Sequence, residues 1–538
     1  MTMSKKIFLP VMAFALTLAS CDMDKMPYDS LPTDEAIETP RDFEGLSNGL
    51  YSGLRSCVGT EAFYNAPDIQ ADEFNAVAGF SGALNYMYNW TFNSNSSEVQ
   101  TVYGNCQALI SRANFVIHSY NTCDMSNTNL FDADAIASIK NVLGEAYFTR
   151  AWALSELAKF FCADYEDNTA DEENSGVSYM TEYNPTMDAS QYPARNTLRQ
   201  TYKQITNDLD SAAKYVTAVP DGDGDRNYIT GDAITALKAR IALVMDNYED
   251  AAKYATEVIN TGNYPLNVDA FQTGNGYDFA RMWWGLATVV QGGQLYIAGT
   301  DETDQESIFK IYSSYPTEAS GQTGTNFQPY SAGSIPNYIP TRTVLNLYSD
   351  GDLRTFLFLQ SSVTTSAGTS GVVYLLDKYT EACAQYYNGG YSEFARWTCQ
   401  PKVLRIAEMY LIAAEAYAKQ NLTTQGAQYL NYFMQRRISG YAGRTFADAD
   451  ELLQEVKNER QREFLGEGVR LFDLKRWHED IRRGTPQQQN LCNQPGQANT
   501  TNLVVTYGGT TGNSLHYVWP IPQHEIDANP QIKQNPGY

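Results

Sequence analysis

Four histidines serve all 538 residues, His118, His478, His516 and His524, and none stands in an H-E-x-x-H arrangement. Zinc chemistry of the metalloprotease kind is excluded, because it needs two imidazoles one helical turn apart. The eight cysteines, Cys21, Cys57, Cys106, Cys123, Cys162, Cys383, Cys399 and Cys492, never pair as C-x-x-C and follow no metal spacing. The G-x-S-x-G, G-x-x-x-x-G-K-[ST] and dinucleotide glycine patterns are also missing. Glycoside hydrolysis needs only two carboxylates, and 62 acids are on hand, so an absent motif does not by itself exclude a hydrolase. Positive charge is scarce: 38 Lys and Arg against 62 Asp and Glu give a formal charge of −24. Such a surface repels nucleic acid and anionic lipid and favours a neutral partner.

Long apolar runs are missing too, with one exception. Lys5 and Lys6 precede an apolar stretch from Ile7 to Ala19, too short for a permanent span, which reads as a signal peptide over residues 1–20. It ends in Leu18-Ala19-Ser20-Cys21, the pattern of a bacterial lipobox. Small residues there fit the peptidase cleft, and the Cys21 thiol receives a diacylglyceryl group. Each buried methylene of its acyl chains contributes about 0.8 kcal/mol, enough in sum for stable anchoring. The competing reading is an ordinary cleavage site with an unrelated cysteine. Lipidation of Cys21 leaves seven cysteines, so at least one free thiol is expected. No structural metal or other cofactor is required by any firm motif.

Aromatic residues are abundant: 38 Tyr, 23 Phe and 7 Trp. Helical periodicity is equally plain. Thr39-Pro40-Arg41-Asp42 reads as an N-cap, a first-turn proline and an acid at the third position. Phe43, Leu46, Leu50, Tyr51 and Leu54 carry that helix onward. Further helices are predicted near 99–120, over 142–161 and over 201–216. In "GDAITALKARIALVMDNYEDAAKYATEVINTGNYPL", Ala236, Ala239 and Ala242 face Tyr248, Ala251, Ala255 and Val258 across a short turn, placing small side chains where two helices meet closely. Tetratricopeptide repeats use this arrangement. "RIAEMYLIAAEAYAKQ" followed by "TTQGAQYLNYFMQRRIS" repeats it. The fold class is mainly α: a tetratricopeptide-like helical scaffold with large loop-rich insertions that carry short strands. The insertions fall at 60–98, 164–195, 265–345, 360–400 and 485–520, and loops on a rigid base commonly carry recognition. The body, 21–538, divides into an N-terminal part to about 265 and a C-terminal part from about 266.

In order along the chain, "TPRDFEGLSNGLYSGL", "GEAYFTRAWALSELAKFF", "ALKARIALVMDNYEDAAKYATEVINTGNYPL", "ESIFKI", "LNLYSDGDLR", "VLRIAEMYLIAAEAYAK", "NERQREFLGEGVRLFDLKRW" and "WPIPQHEIDANPQIKQNPGY" resemble the SusD/RagB family of outer-membrane lipoproteins. One segment departs from it: the family's Tyr-Gly-Asp-Val-Pro-Leu type turn after the long helix is replaced by Cys162-Ala163-Asp164-Tyr165-Glu166-Asp167. The resemblance implies a non-catalytic glycan-binding lipoprotein held on the extracellular face of the outer membrane. It implies a SusC-like TonB-dependent barrel as partner, and it makes the acids after Cys21, Asp22 and Asp24, an export signal. The peptide-binding RagB branch is the alternative on the same architecture; an anchored glycosidase and a periplasm-facing scaffold are the other rivals.

A sugar ring offers an apolar C–H face and a rim of hydroxyls, so its site needs an aromatic platform beside amides or charges. Trp90 with Asn89, in "NYMYNWTFNSNSS", meets that need, as do Trp283 and Trp284 with Tyr277, in "NGYDFARMWWGL", and Tyr330 and Tyr338 in the loop that follows. The family's platforms come from these two regions. Trp152, Trp477 and Trp519 lie on structural motifs and are expected in the core. Asp221, Asp223 and Asp225 match three calcium-loop positions, but Arg226 and Asp232 replace the required glycine and glutamate, so an acidic turn competes with a calcium site there. Glu459 and Glu463, four apart, and Arg470, Asp473 and Arg476, three apart, are read as an ion-pair network between helices.

Overall fold

The computed structural model describes residues 37–217, 226–266, 279, 282–283, 286–291, 294–299, 305–311, 326–327, 335–378, 400–492 and 502–538. Helix α1 (Pro40–Val58) begins as its sequence dictates, with Pro40 in the first turn and the Thr39 backbone N–H donating to Asp42 Oδ2 at 2.7 Å. Two short helices, α2 (Glu61–Tyr64) and α3 (Ala66–Gln70), lead to strand β1 (Phe74–Ala76) and a single helical turn, α4 (Asn85–Tyr88). Three long helices follow: α5 (Ser97–Thr122), α6 (Ala133–Phe161) and α7 (Leu198–Tyr215). The N-cap of α6 is Asp132, whose carboxylate accepts from the Ala135 N–H; that of α7 is Thr197 with Gln200 in a capping box.

The alanine-rich tandem forms α8 (Gly231–Val244) and α9 (Tyr248–Thr261), closed by Gly262 in the left-handed region at φ 71°. Ala236, Ala239, Ala242, Ala251, Ala255 and Val258 are all buried, because side chains this small let the two helices approach closely. After β2 (Leu286–Gln291), β3 (Gln294–Gly299), β4 (Ser307–Lys310), β5 (Tyr338–Pro340), β6 (Phe358–Thr364), β7 (Ser370–Leu376) and β8 (Lys402–Arg405), the repeat pattern resumes. It comprises α10 (Ile406–Lys419), α11 (Thr423–Arg437), α12 (Ala449–Phe464) and the short α13 (Arg470–Arg476). Neighbouring helices stack in series, α1 on α5 and α6, α6 on α7, α8 on α9, α9 on α10, and α10 on α11 and α12. The fold is therefore the expected tetratricopeptide-like scaffold.

Among the described residues every sheet has two strands and is antiparallel. Two of them join distant parts of the chain: β1 pairs with β5, Phe74 opposite Pro340, and β4 pairs with β8, Ser307 opposite Arg405.

The predicted ion network is real and larger than the motif implied. Arg354 pairs with Asp352, Glu459 and Glu463 in the interior. Glu463 also pairs with Arg405 and Arg437, and Arg437 reaches Glu306 at 2.7 Å. These cations hold the Glu463 carboxyl well below the usual carboxylate range in spite of its burial. Arg460 grips Asp473 between α12 and α13, Arg470 grips Asp72, and Arg476 pairs with Asp473 and Glu415. Removing one partner from such a buried set costs about 3–5 kcal/mol, because an uncompensated charge is left inside. The five described cysteines, Cys57, Cys106, Cys123, Cys162 and Cys492, are free thiols, and no described cluster of His, Cys, Asp or Glu is arranged to hold a metal.

Candidate functional site

The insertion between β1 and α5 builds one exposed aromatic turn. Leu84 at φ 54° and Trp90 at φ 58° bracket α4 in left-handed conformations. Within it Leu84, Met87 and Tyr88 recur at helical spacing and point inward, so Asn85, Tyr86 and Asn89 point out. Tyr86 is 61% exposed. Asn89 Nδ2 donates to Asn85 Oδ1 at 2.7 Å, which ties the two amides together on the turn that carries Tyr86. The inner side is rigid. Tyr88 lies against Tyr338, ring centroids 5.4 Å apart, and the Arg483 guanidinium covers the Tyr88 ring at 3.9 Å. Arg483 Nη2 also donates to the Tyr88 carbonyl at 3.1 Å. An immobilised backbone therefore presents an exposed ring flanked by two amides, which suits stacking on an apolar C–H face while hydrogen-bonding a hydroxyl rim.

The residues singled out from sequence take different positions. Trp90 is not a platform: the left-handed turn swings it inward to 1% exposure, where its Nε1 donates to the Gln70 carbonyl at 2.9 Å. Gln70 Oε1 accepts from Trp519 Nε1 at 3.0 Å, so one glutamine holds two buried indoles. Tyr338 is also interior, its hydroxyl donating to the Ala83 carbonyl at 2.6 Å. Trp283 is buried among cations, with Lys378 Nζ 4.2 Å and the Arg405 guanidinium carbon 4.8 Å from its ring centre. Three expected platform rings thus serve the core as placed, and Asn89 is the one described member of that set at the surface turn. Trp284, Tyr277, Tyr330, Cys21, Asp221, Asp223 and Asp225 lie outside the described residues. Asp232, the expected twelfth calcium position, accepts from Asn263 Nδ2 at 2.9 Å. Trp152 and Trp519 are in the core as expected; Trp477 is half-buried and donates to Glu415 at 2.8 Å.

Tyr86 stands in the same stretch as Trp90, and the sequence reading does not single it out. Its signal was the helical spacing of Leu84, Met87 and Tyr88, which leaves Tyr86 on the opposite side. A second exposed ring, Tyr374, stands on β7 beside exposed Val372 and opposite Gln360 of β6. Gln487 pins that strand with two hydrogen bonds to the Tyr374 backbone, each 2.8 Å.

A stack of helix pairs with loop insertions, one of which exposes Tyr86, defines a repeat-scaffold protein. The chain belongs to the SusD/RagB family. Residues 357–538 match the model described as the SusD family, and residues 23–243 match the model described as starch-binding associating with outer membrane. It is 20% identical over 554 residues to the SusD-like protein P38 of Formosa agariphila, covering 97% of this chain and 96% of that one. Among solved structures it resembles a SusD superfamily protein from Bacteroides vulgatus, with a TM-score of 0.72 at 22% identity over 93% of this chain and 100% of that one. It also resembles a SusD-like carbohydrate binding protein from the same organism, with a TM-score of 0.70 at 16% identity over 92% and 98%. No described helix is long and apolar enough to cross a membrane.

Proposed function

We propose that the protein is a surface-exposed lipoprotein, moored through Cys21, that captures a neutral oligo- or polysaccharide and passes it to a SusC-like TonB-dependent barrel without cutting it. The observation that carries this reading is the rigid turn presenting Tyr86 between Asn85 and Asn89. The family description of starch binding at the outer membrane and the carbohydrate-binding solved relative support it. Covering roughly 100 Å² of sugar face contributes about 2.5 kcal/mol per ring before ordering losses, so two or three rings give a dissociation constant between about 1 μM and 1 mM. Weak capture suits a protein that must release its ligand onward.

The test is binding of the purified chain to a panel of neutral polysaccharides and, in parallel, to peptide mixtures. Saturable glycan binding weakened at least about tenfold by Tyr86→Ala is the expected result, since one lost stacking contact is on the order of 1.4 kcal/mol or more. Binding to peptides alone would assign the chain to the RagB-like branch instead. Shortened glycan products after incubation would replace capture by hydrolysis.

A further inference from the structure

The β6–β7 hairpin has two unlike edges. One face of it is fixed inside: Val363, Val373 and Leu375 are buried in a small core of their own with Val77, Ile339 and Leu491, so the hairpin has a rigid base. Its outer face carries Gln360, Ser362 and Thr364 of β6 opposite Tyr374, Val372 and Ser370 of β7.

Facing residues of an antiparallel pair alternate between those that exchange both backbone hydrogen bonds and those that exchange none. The Asp377 N–H donates to the Leu357 carbonyl at 2.7 Å and the Thr365 N–H to the Thr369 carbonyl at 2.9 Å, which makes the odd-numbered residues of β6 the bonded ones. The N–H and C=O groups of Gln360, Ser362 and Thr364 therefore point away from β7, at intervals of about 6.8 Å along the strand. The same alternation turns Val372 and Tyr374 toward the other edge, and there the groups are met. Gln487 Oε1 accepts from the Tyr374 N–H and Gln487 Nε2 donates to the Tyr374 carbonyl, each at 2.8 Å, and Gln488 Nε2 donates to the Val372 carbonyl at 2.6 Å. A side-chain amide thus supplies to β7 the pair of bonds that a neighbouring strand would supply. On β6, among the described residues, nothing bonds the outward backbone of Gln360, Ser362 or Thr364, and all three are exposed.

Strand edges are usually blunted by proline, lysine, a bulge or a covering segment, because an uncovered edge pairs with another chain. Phe358–Thr364 contains no proline and no charge, and its register with β7 runs over all seven residues without a bulge. We propose that the outer edge of β6 is an interaction surface that takes an extended, uncharged or basic peptide segment of a partner protein as an added strand. An extended main chain is the ligand whose donors and acceptors recur at this spacing, and the hydroxyls of a sugar do not. Acidic segments are disfavoured by a chain whose formal charge is −24. The edge is separate from the Tyr86 turn and stands whether or not that turn binds sugar.

The probe is the peptide acetyl-Lys-Thr-Val-Thr-Val-Thr-Lys-amide, with a match N-methylated at its five central residues, each added to the full chain. Saturation-transfer NMR reads the affinity, and hydrogen-exchange mass spectrometry reads the place. Saturable binding with a dissociation constant below about 1 mM is expected, with exchange slowed over residues 358–364 and the N-methylated peptide at least about tenfold weaker. Ser362→Pro deletes one outward N–H and leaves every β6–β7 bond in place, as an edge strand allows. It should weaken the peptide at least about tenfold while its melting temperature stays within about 3 °C of the parent's. Gln360→Pro, which removes another outward N–H, carries the test if Ser362→Pro fails to fold. The proposal is overturned if the peptide does not saturate, if its N-methylated match binds equally well, or if a folded proline variant binds the peptide as the parent does. Dimerisation of the parent that Ser362→Pro abolishes would overturn it too, since the edge then belongs to a second copy of the chain.

Discussion

Tyr86 and Trp90 stand four residues apart and do opposite work. Tyr86→Ala removes an exposed ring, and its melting temperature should stay within about 2 °C of the parent, since surface changes usually fall within about 0.5 kcal/mol. Trp90→Ala empties an interior site and removes one of the two donors to the Gln70 carbonyl, and should cost about 3–5 kcal/mol in urea denaturation. A large stability loss at Tyr86 with none at Trp90 would reverse their assignments. Composition alone favoured the indole, the larger ring beside several asparagines. The direction of a side chain depends on backbone dihedrals, and the left-handed φ at Trp90 is uncommon enough for a bulky residue that periodicity does not foresee it. Trp283 was unreadable for another reason: the cations that surround it, Lys378, Lys402 and Arg405, come from far along the chain.

Helices were the legible part of the fold. The capping residues of α1, the alanine spacing of α8 and α9, and the charged pattern of α12 and α13 all signal locally, within one or two turns. The pairings of β1 with β5 and β4 with β8 join segments more than 90 residues apart, and no local spacing encodes them. Two glycines show how packing separates equivalent residue types. Gly45 lies on the exposed face of α1 with open space around it, so Gly45→Ala should stabilise by about 0.5–1 kcal/mol. Gly468, at φ 73°, would set a Cβ 2.9 Å from the carbonyls of Phe63 and Tyr64, and Gly468→Ala should destabilise by at least about 1–3 kcal/mol. Denaturant midpoints of the two variants should move in opposite directions.

The ion pairs at this scale also set an acid limit. The Arg476 guanidinium holds the Glu415 carboxyl down to about 2, from an ordinary value of 4.5, against the burial that would raise it. A folded pKa below the unfolded one adds stability above the unfolded value and loses it as pH falls through the folded one. Urea midpoints should therefore fall steeply between about pH 4.5 and pH 2, and Glu415→Gln, although less stable overall, should show a shallower slope across that window.

At the scale of the whole molecule, the proposed mooring makes one plain demand. Cys21→Ser should move the protein from the outer-membrane fraction to the soluble fraction without altering glycan affinity, because on that proposal Cys21 carries the lipid and takes no part in the Tyr86 turn. Retention of the serine variant in the membrane fraction would remove the lipid from the account.

The last carbonyls of α6 are met from the far end of the chain. The Trp519 N–H donates to the Phe160 carbonyl at 2.9 Å, Asn535 Nδ2 donates to the Phe161 carbonyl at 2.9 Å, and Arg195 binds the Asn535 side chain at 2.7 Å. These bonds make residues 519–535 a keystone for an element that is synthesised hundreds of residues earlier. Until that final segment is in place the end of α6 lacks these partners, so a chain shortened before residue 519 should lose the bonds that close its longest described helix.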